Sequence, residues 1–197
     1  MDGSLRGVDR YRKEKNMKYK NIIFIAVVFI VGIVINLFLN DFGAWRYFGT
    51  FFSAFLAGPL VSVLVGIISQ FFDTGIGDLG RWILLIGHLF VGLVAGVMVM
   101  KGFAKKFWKP FIVHIIVLTI ATLSYYLRST VWLMEAEGTW NVSDLMHFFL
   151  QNPQGYLMDT VKLGCRYAIP MFISVYVSWL IPKVISAKYD FPYKNKY

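Results

Sequence analysis

Lys162 and Arg166 stand four residues apart, so on a helix they share a face, and Arg128 and Arg46 supply two further cations for a basic cup. Arginine offers a planar bidentate fork and lysine a compact point charge, a set suited to a carboxylate or a phosphate. Two readings stand open for these charges. One is contact with a ligand; the other is pairing within the protein, with Asp159 in reach of Lys162 and Glu135 or Glu137 placed to neutralise Arg128. Uncharged polar groups accompany them at Asn36, Asn40, Gln70, His88 and Tyr125. Asn36 and Asn40 are again four apart, a spacing that serves a pocket lining or an interhelical hydrogen bond equally. No paired carboxylates and no nucleophile with a base are present, so no catalytic residue and no enzyme activity are expected. A single cysteine, Cys165, excludes an intramolecular disulfide, and three histidines without ligand-like spacing leave no metal site and no cofactor to propose.

The elements that position these groups must be membrane helices. The chain is 57% hydrophobic and 18% aromatic, with a mean hydropathy of +0.60. That is more apolar than one water-soluble core requires. Runs near 18 residues or longer cross the roughly 30 Å hydrocarbon layer as helices. The expected fold is all-α, an integral membrane bundle of six transmembrane helices at about 22–39, 46–57, 59–72, 82–100, 110–134 and 160–182. A basic tail (1–20) precedes them, a second (185–197) follows, and a lid loop occupies 135–159. No small-x-small cleavage site follows the first run, which is therefore read as a span and not as a signal peptide. The second and third helices come from one stretch, FGTFFSAFLAGPLVSVLVGIISQ, divided at Gly58-Pro59 because proline lacks a backbone donor and disfavours helical geometry at the residue before it.

The net charge of +9 is unevenly spread. Basic residues crowd the N-terminal tail, the KGFAKKFWK connection (Lys101, Lys105, Lys106, Lys109) and the C-terminal end (Lys183, Lys188, Lys194, Lys196), whereas the opposite loops hold only Arg46 and Arg81. The positive-inside rule then places both termini in the cytoplasm. Polybasic segments there meet anionic lipid headgroups, a reading preferred to nucleic-acid binding. The 135–159 connection holds four acids and neither Lys nor Arg, and its VSDLMHFFL portion reads as a short interfacial helix. Trp45, Trp132 and Trp140 read as interfacial anchors, His114 as structural and His147 as part of the lid. With this orientation Asn36, Asn40, Arg46, Gln70, His88, Tyr125, Arg128, Lys162 and Arg166 all fall in the external half.

Small residues are regularly placed. Ala54, Gly58, Ser62 and Gly66 follow one another at four-residue intervals, and Gly92 and Gly96 repeat the spacing in GLVAG. In lipid, helices associate mainly by close packing, so such faces serve either internal packing or the docking of a partner.

The run AWRYFGTFFSAFLAGPLVSVLVGIISQ, followed by GHLFVGLVAGVMVMKGFAKKF, resembles the substrate-binding membrane subunits, or S components, of energy-coupling factor (ECF) transporters. The likeness covers roughly residues 33–107. It departs from the family at Ile30, where the first-helix motif Ala-x-x-x-Ala has its second alanine after Ala26. The resemblance implies a prokaryotic cell-membrane protein that captures a vitamin or its precursor near the external face. It further implies docking on a transmembrane coupling subunit driven by two ATPases. The missing G-x-x-x-x-G-K-[ST] phosphate loop agrees with ATP hydrolysis on separate chains. The alternative from a different class is a membrane sensory module working with a separate kinase or other output protein.

Overall fold

The computed structural model describes residues 3–74, 79–138 and 153–186. Among them are six α-helices and no strand: α1 (Gly3–Phe38), α2 (Phe48–Ala57), α3 (Pro59–Thr74), α4 (Leu79–Met98), α5 (Lys109–Glu137) and α6 (Pro153–Ser186). A tight connector, Asn40–Tyr47, joins α1 to α2 in 3-10 turns, and a π turn, Val99–Phe103, closes α4.

Four stretches are long and apolar enough to cross a membrane: Tyr19–Phe38, Leu79–Phe103, Lys109–Trp132 and Met158–Ile185. The fold is therefore compatible with a multi-pass membrane protein. The other two helices are shorter. α2 has 10 residues and α3 has 16, or about 15 Å and 24 Å of helix against a hydrocarbon core of about 30 Å.

Two boundaries differ most from the sequence reading. Helix α1 begins at Gly3, so the basic segment expected as a tail is helical and continuous with the first apolar run. Charged residues of good helix propensity, with no glycine or proline between Val8 and Gly32, leave nothing to stop the helix earlier. Helix α6 begins at Pro153, not near residue 160. Proline suits the first helical position because its missing donor is one the helix leaves unpaired anyway. Most of the lid segment, including VSDLMHFFL, Trp140 and His147, lies outside the described residues.

The division at Gly58-Pro59 is present. Gly58 adopts φ 86° and ψ −173°, a conformation that side-chain-bearing residues rarely reach, and Pro59 starts the next helix. α2 and α3 fold back as a hairpin stitched by Ser62 Oγ, which donates to the Thr50 carbonyl at 2.9 Å. α2 is the innermost helix: Phe51, Ala54 and Phe55 join Leu84, Val91, Val117, Tyr167, Met171 and Val175 in the main core. A helix apolar on every side belongs in such a centre. α1 instead leans on the hairpin through Val28, Leu56, Ala57, Val61 and Val65 and leaves Ile22, Ile23, Ile30 and Val34 exposed. Those side chains suit a lipid surface.

The small-residue stripes are spent on internal packing. Ala54, Gly58, Ser62, Gly66, Gly92 and Gly96 are all buried. A Cβ on Gly92 would stand 3.0 Å from the Ser62 backbone, one on Gly66 would stand 3.2 Å from the His88 carbonyl, and Gly96 lies directly against Pro59. Of the two roles the spacing allowed, helix packing is the one in which these buried positions take part.

The connection from α4 to α5 and the last turns of α6 adjoin at one end of the bundle. The Trp179 indole donates to the Ala104 carbonyl at 2.7 Å, and Lys183 Nζ sits 3.9 Å above the Trp179 ring. Lys101, Lys105, Lys106, Lys109 and Lys183 thus share that end. The connector Asn40–Tyr47 occupies the other.

Candidate functional site

At the connector end, residues from four elements line a small recess with a cavity volume of about 10 Å³: Asn36 of α1, Asn40 and Arg46 of the connector, Ser69, Gln70 and Asp73 of α3, and His88 of α4. Five of the sequence candidates therefore meet. Asn36, Gln70 and His88 are each 2% exposed.

Asn36 has a defined structural task. Its Nδ2 donates to Thr50 Oγ1 at 2.9 Å and to Ser69 Oγ at 3.3 Å, while its Oδ1 accepts the Thr50 backbone N–H at 3.3 Å. Thr50 lies in the first turn of α2, where backbone donors lack intrahelical partners, and Tyr47 at the N-cap position provides no side-chain bond. α1 thus caps α2 from outside, the interhelical bond being one of the two roles that the asparagine pair admitted.

Arg46 is held by the connector that carries it. Its Nε donates to the Gly43 carbonyl at 3.2 Å and an Nη to the Asn40 carbonyl at 3.1 Å. Gly43, at φ 68° and ψ −119°, turns the chain so that these carbonyls face the guanidinium. The guanidinium also lies 3.8 Å from the Asp73 carboxylate and 5.6 Å from the centre of the Tyr125 ring. The second Asp73 oxygen accepts from the Asn40 amide.

Beneath the recess is an aromatic cluster. The His88 imidazole stacks on Tyr47 with 4.2 Å between ring centres and 17° between planes. Tyr125 meets Tyr167 edge-on at 5.0 Å. Among the described residues, neither ring nitrogen of His88 has a hydrogen-bond partner, nor does the Tyr47 hydroxyl. Buried polar atoms are nearly always paired, so these three have hydrogen-bonding capacity left over at the recess.

The basic cup is not assembled. Lys162 and Arg166 are exposed, and Lys162 pairs with Asp159 at 3.4 Å, both side chains more than 70% exposed. α6 turns Tyr167 and Met171 into the core, and a residue one position earlier points about 100° away. Arg128 is half-buried on α5, one turn beyond Tyr125, and does not line the recess. The side chains of Glu135 and Glu137 lie outside the described ones. His114, far from the recess, is buried between the rings of Phe111 and Phe172. Trp132 is 62% exposed near the end of α5, as an interfacial anchor would be.

Sequence reasoning missed Asp73, Ser69 and Tyr47. The signal for the first two was spacing: Ser69 and Asp73 are four apart, with Gln70 between them and three residues before Asp73, one polar face closing an apolar helix. Comparison with protein-family models, with characterised proteins and with solved structures gave no match.

Proposed function

We propose that the chain is the membrane capture subunit of an ECF-type uptake system, binding a small water-soluble micronutrient and passing it on with separate coupling and ATPase subunits. The observation that carries this reading is the meeting of Asn36, Asn40, Arg46, Gln70 and His88, from three helices and the connector, at the end of the bundle away from the lysines. Intramembrane polar groups that face a cavity mark substrate paths more often than they serve packing alone. In the proposed orientation all six helices cross the membrane of a prokaryotic cell, the lysine-rich end and both termini are cytoplasmic, and the recess opens outward.

At about 10 Å³ the recess has room for about one water molecule, far below the roughly 300–1,000 Å³ of small-molecule pockets. Capture of a vitamin-sized compound therefore requires the connector to give way, and Phe42 and Gly43, which depart from helical geometry, are the natural pivot. Docking on the coupling subunit uses a surface other than the buried glycine stripes. The test is thermal-shift binding of the purified chain against vitamins and their precursors, with co-purification of a coexpressed coupling module. Stabilisation by one compound, growing as RT ln(1 + [L]/Kd), supports the reading. A panel with no stabilising member and no recovered coupling subunit refutes it.

A further inference from the structure

Among the described residues, the recess is lined by one guanidinium and one carboxylate, and they belong to each other. Arg46 spends two donors on the Gly43 and Asn40 carbonyls and turns toward Asp73, 3.8 Å away, while Asn40 secures the other carboxylate oxygen. Both charged side chains are largely buried, at 15% and 19% exposed. An arriving anion would have to take Arg46 from Asp73 and then lie beside the abandoned carboxylate. An arriving cation would meet Arg46. Each arrangement places like charges together in a poorly solvated space, the usual physical basis for rejecting a ligand. His88, 2% exposed and lining the same recess, has no hydrogen-bond partner for either ring nitrogen among the described residues. A neutral imidazole presents one donor and one acceptor.

We infer that the site selects a net-uncharged compound bearing a hydrogen-bond donor and acceptor for His88, and that Asp73 enforces the choice by occupying Arg46. This rests on the capture reading above and reverses the anionic ligand that the basic residues suggested in the sequence. Asp73 is here a specificity-determining residue acting through Arg46, not a ligand contact.

The experiment uses the full chain in lipid nanodiscs and matched probes differing by an acidic group: nicotinamide and nicotinate, pyridoxine and its phosphate, riboflavin and its 5′-phosphate. Small molecules carried through purification are extracted and identified in parallel. Wild type is expected to bind the neutral member of a pair, or to retain a neutral compound, with at least tenfold preference over the anion. Asp73→Asn is expected to shrink that preference to less than threefold or reverse it, and Asp73→Glu to preserve it. Equal or tighter binding of the anionic member by wild type overturns this inference and leaves capture standing, as does an unchanged preference in a folded Asp73→Asn. If Asp73→Asn does not fold, the double variant Arg46→Gln/Asp73→Asn, which removes both charges, must still favour the neutral member. Silence from every probe with nothing extracted overturns capture and this inference together.

Discussion

The imidazole of His88 lies on the phenol ring of Tyr47 with 4.2 Å between centres, which fixes a side chain from α4 against the residue that opens α2. The ring supplies packing and the nitrogens supply chemistry, and substitution separates the two. His88→Phe keeps an aromatic partner worth about 0.5–1.5 kcal/mol beyond its buried area, so its melting temperature should stay within a few degrees of wild type. It removes both nitrogens, and ligand affinity should fall about 10- to 100-fold, the cost of losing one or two hydrogen bonds. His88→Ala should lose stability and affinity together. Equal affinity for wild type and His88→Phe would remove His88 from the site.

Gly49 and Gly32 allow α1 and α2 to touch at the backbone. A Cβ on Gly49 would overlap the Gly32 carbonyl, and Asn36 Oδ1 would be only 2.7 Å away. Gly49→Ala must therefore push the helices apart, an overpacking cost of about 1–3 kcal/mol or more, visible as a lower melting temperature and a poor gel-filtration profile. Gly164→Ala is the control, because its Cβ would meet only Thr122 atoms at 3.8 and 3.9 Å. It should be neutral or slightly stabilising.

Asn36→Ala deletes two donated bonds and leaves the Thr50 N–H without an acceptor. The expected loss is about 1–3 kcal/mol, measured as reduced thermal stability without ligand. Asn36→Asp restores an acceptor at the cost of a buried charge, and should not recover the full loss. Should Asn36→Ala melt like wild type, the cap would be energetically idle.

Sidedness is testable with single cysteines in a Cys165→Ala background. Lys105→Cys and Asp41→Cys both replace exposed side chains, at the lysine-rich end and in the connector respectively. In intact cells a membrane-impermeant maleimide should label the Asp41→Cys chain, and the Lys105→Cys chain only after lysis. The opposite pattern would invert the proposed orientation.

Much of the architecture was legible because it follows from local rules. Gly58-Pro59 breaks a helix by its own stereochemistry, and the lysines around 101–109 declare a loop by their charge. The meeting of Asn36, Asn40, Arg46, Gln70 and His88 followed from counting helices and noting which ends share a side. What stayed hidden depended on rotation about a helix axis. Lys162 and Arg166 sit at the depth where a cup was expected, but whether a face turns inward is decided by what Tyr167 and Met171 pack against. Asp73 was hidden in another way. One arginine and one aspartate, 27 positions apart by their numbering, look like separate surface charges until the connector folds Arg46 over the end of α3. That single pairing converts an apparent anion site into a charge-balanced one.

The capping of α2 by Asn36 carries a consequence for biogenesis. In the proposed membrane orientation α2, with 10 residues, is too short to be held across a bilayer on its own, and its first-turn donors would find no water in lipid to satisfy them. On that reading α1 would be resident before α2 is buried, and α3 would accompany α2 so that Thr50 finds both Asn36 and Ser62. The order in which a ribosome would release these segments is the order that this requires, with α1 as a template waiting in the membrane and the hairpin entering as one unit against it.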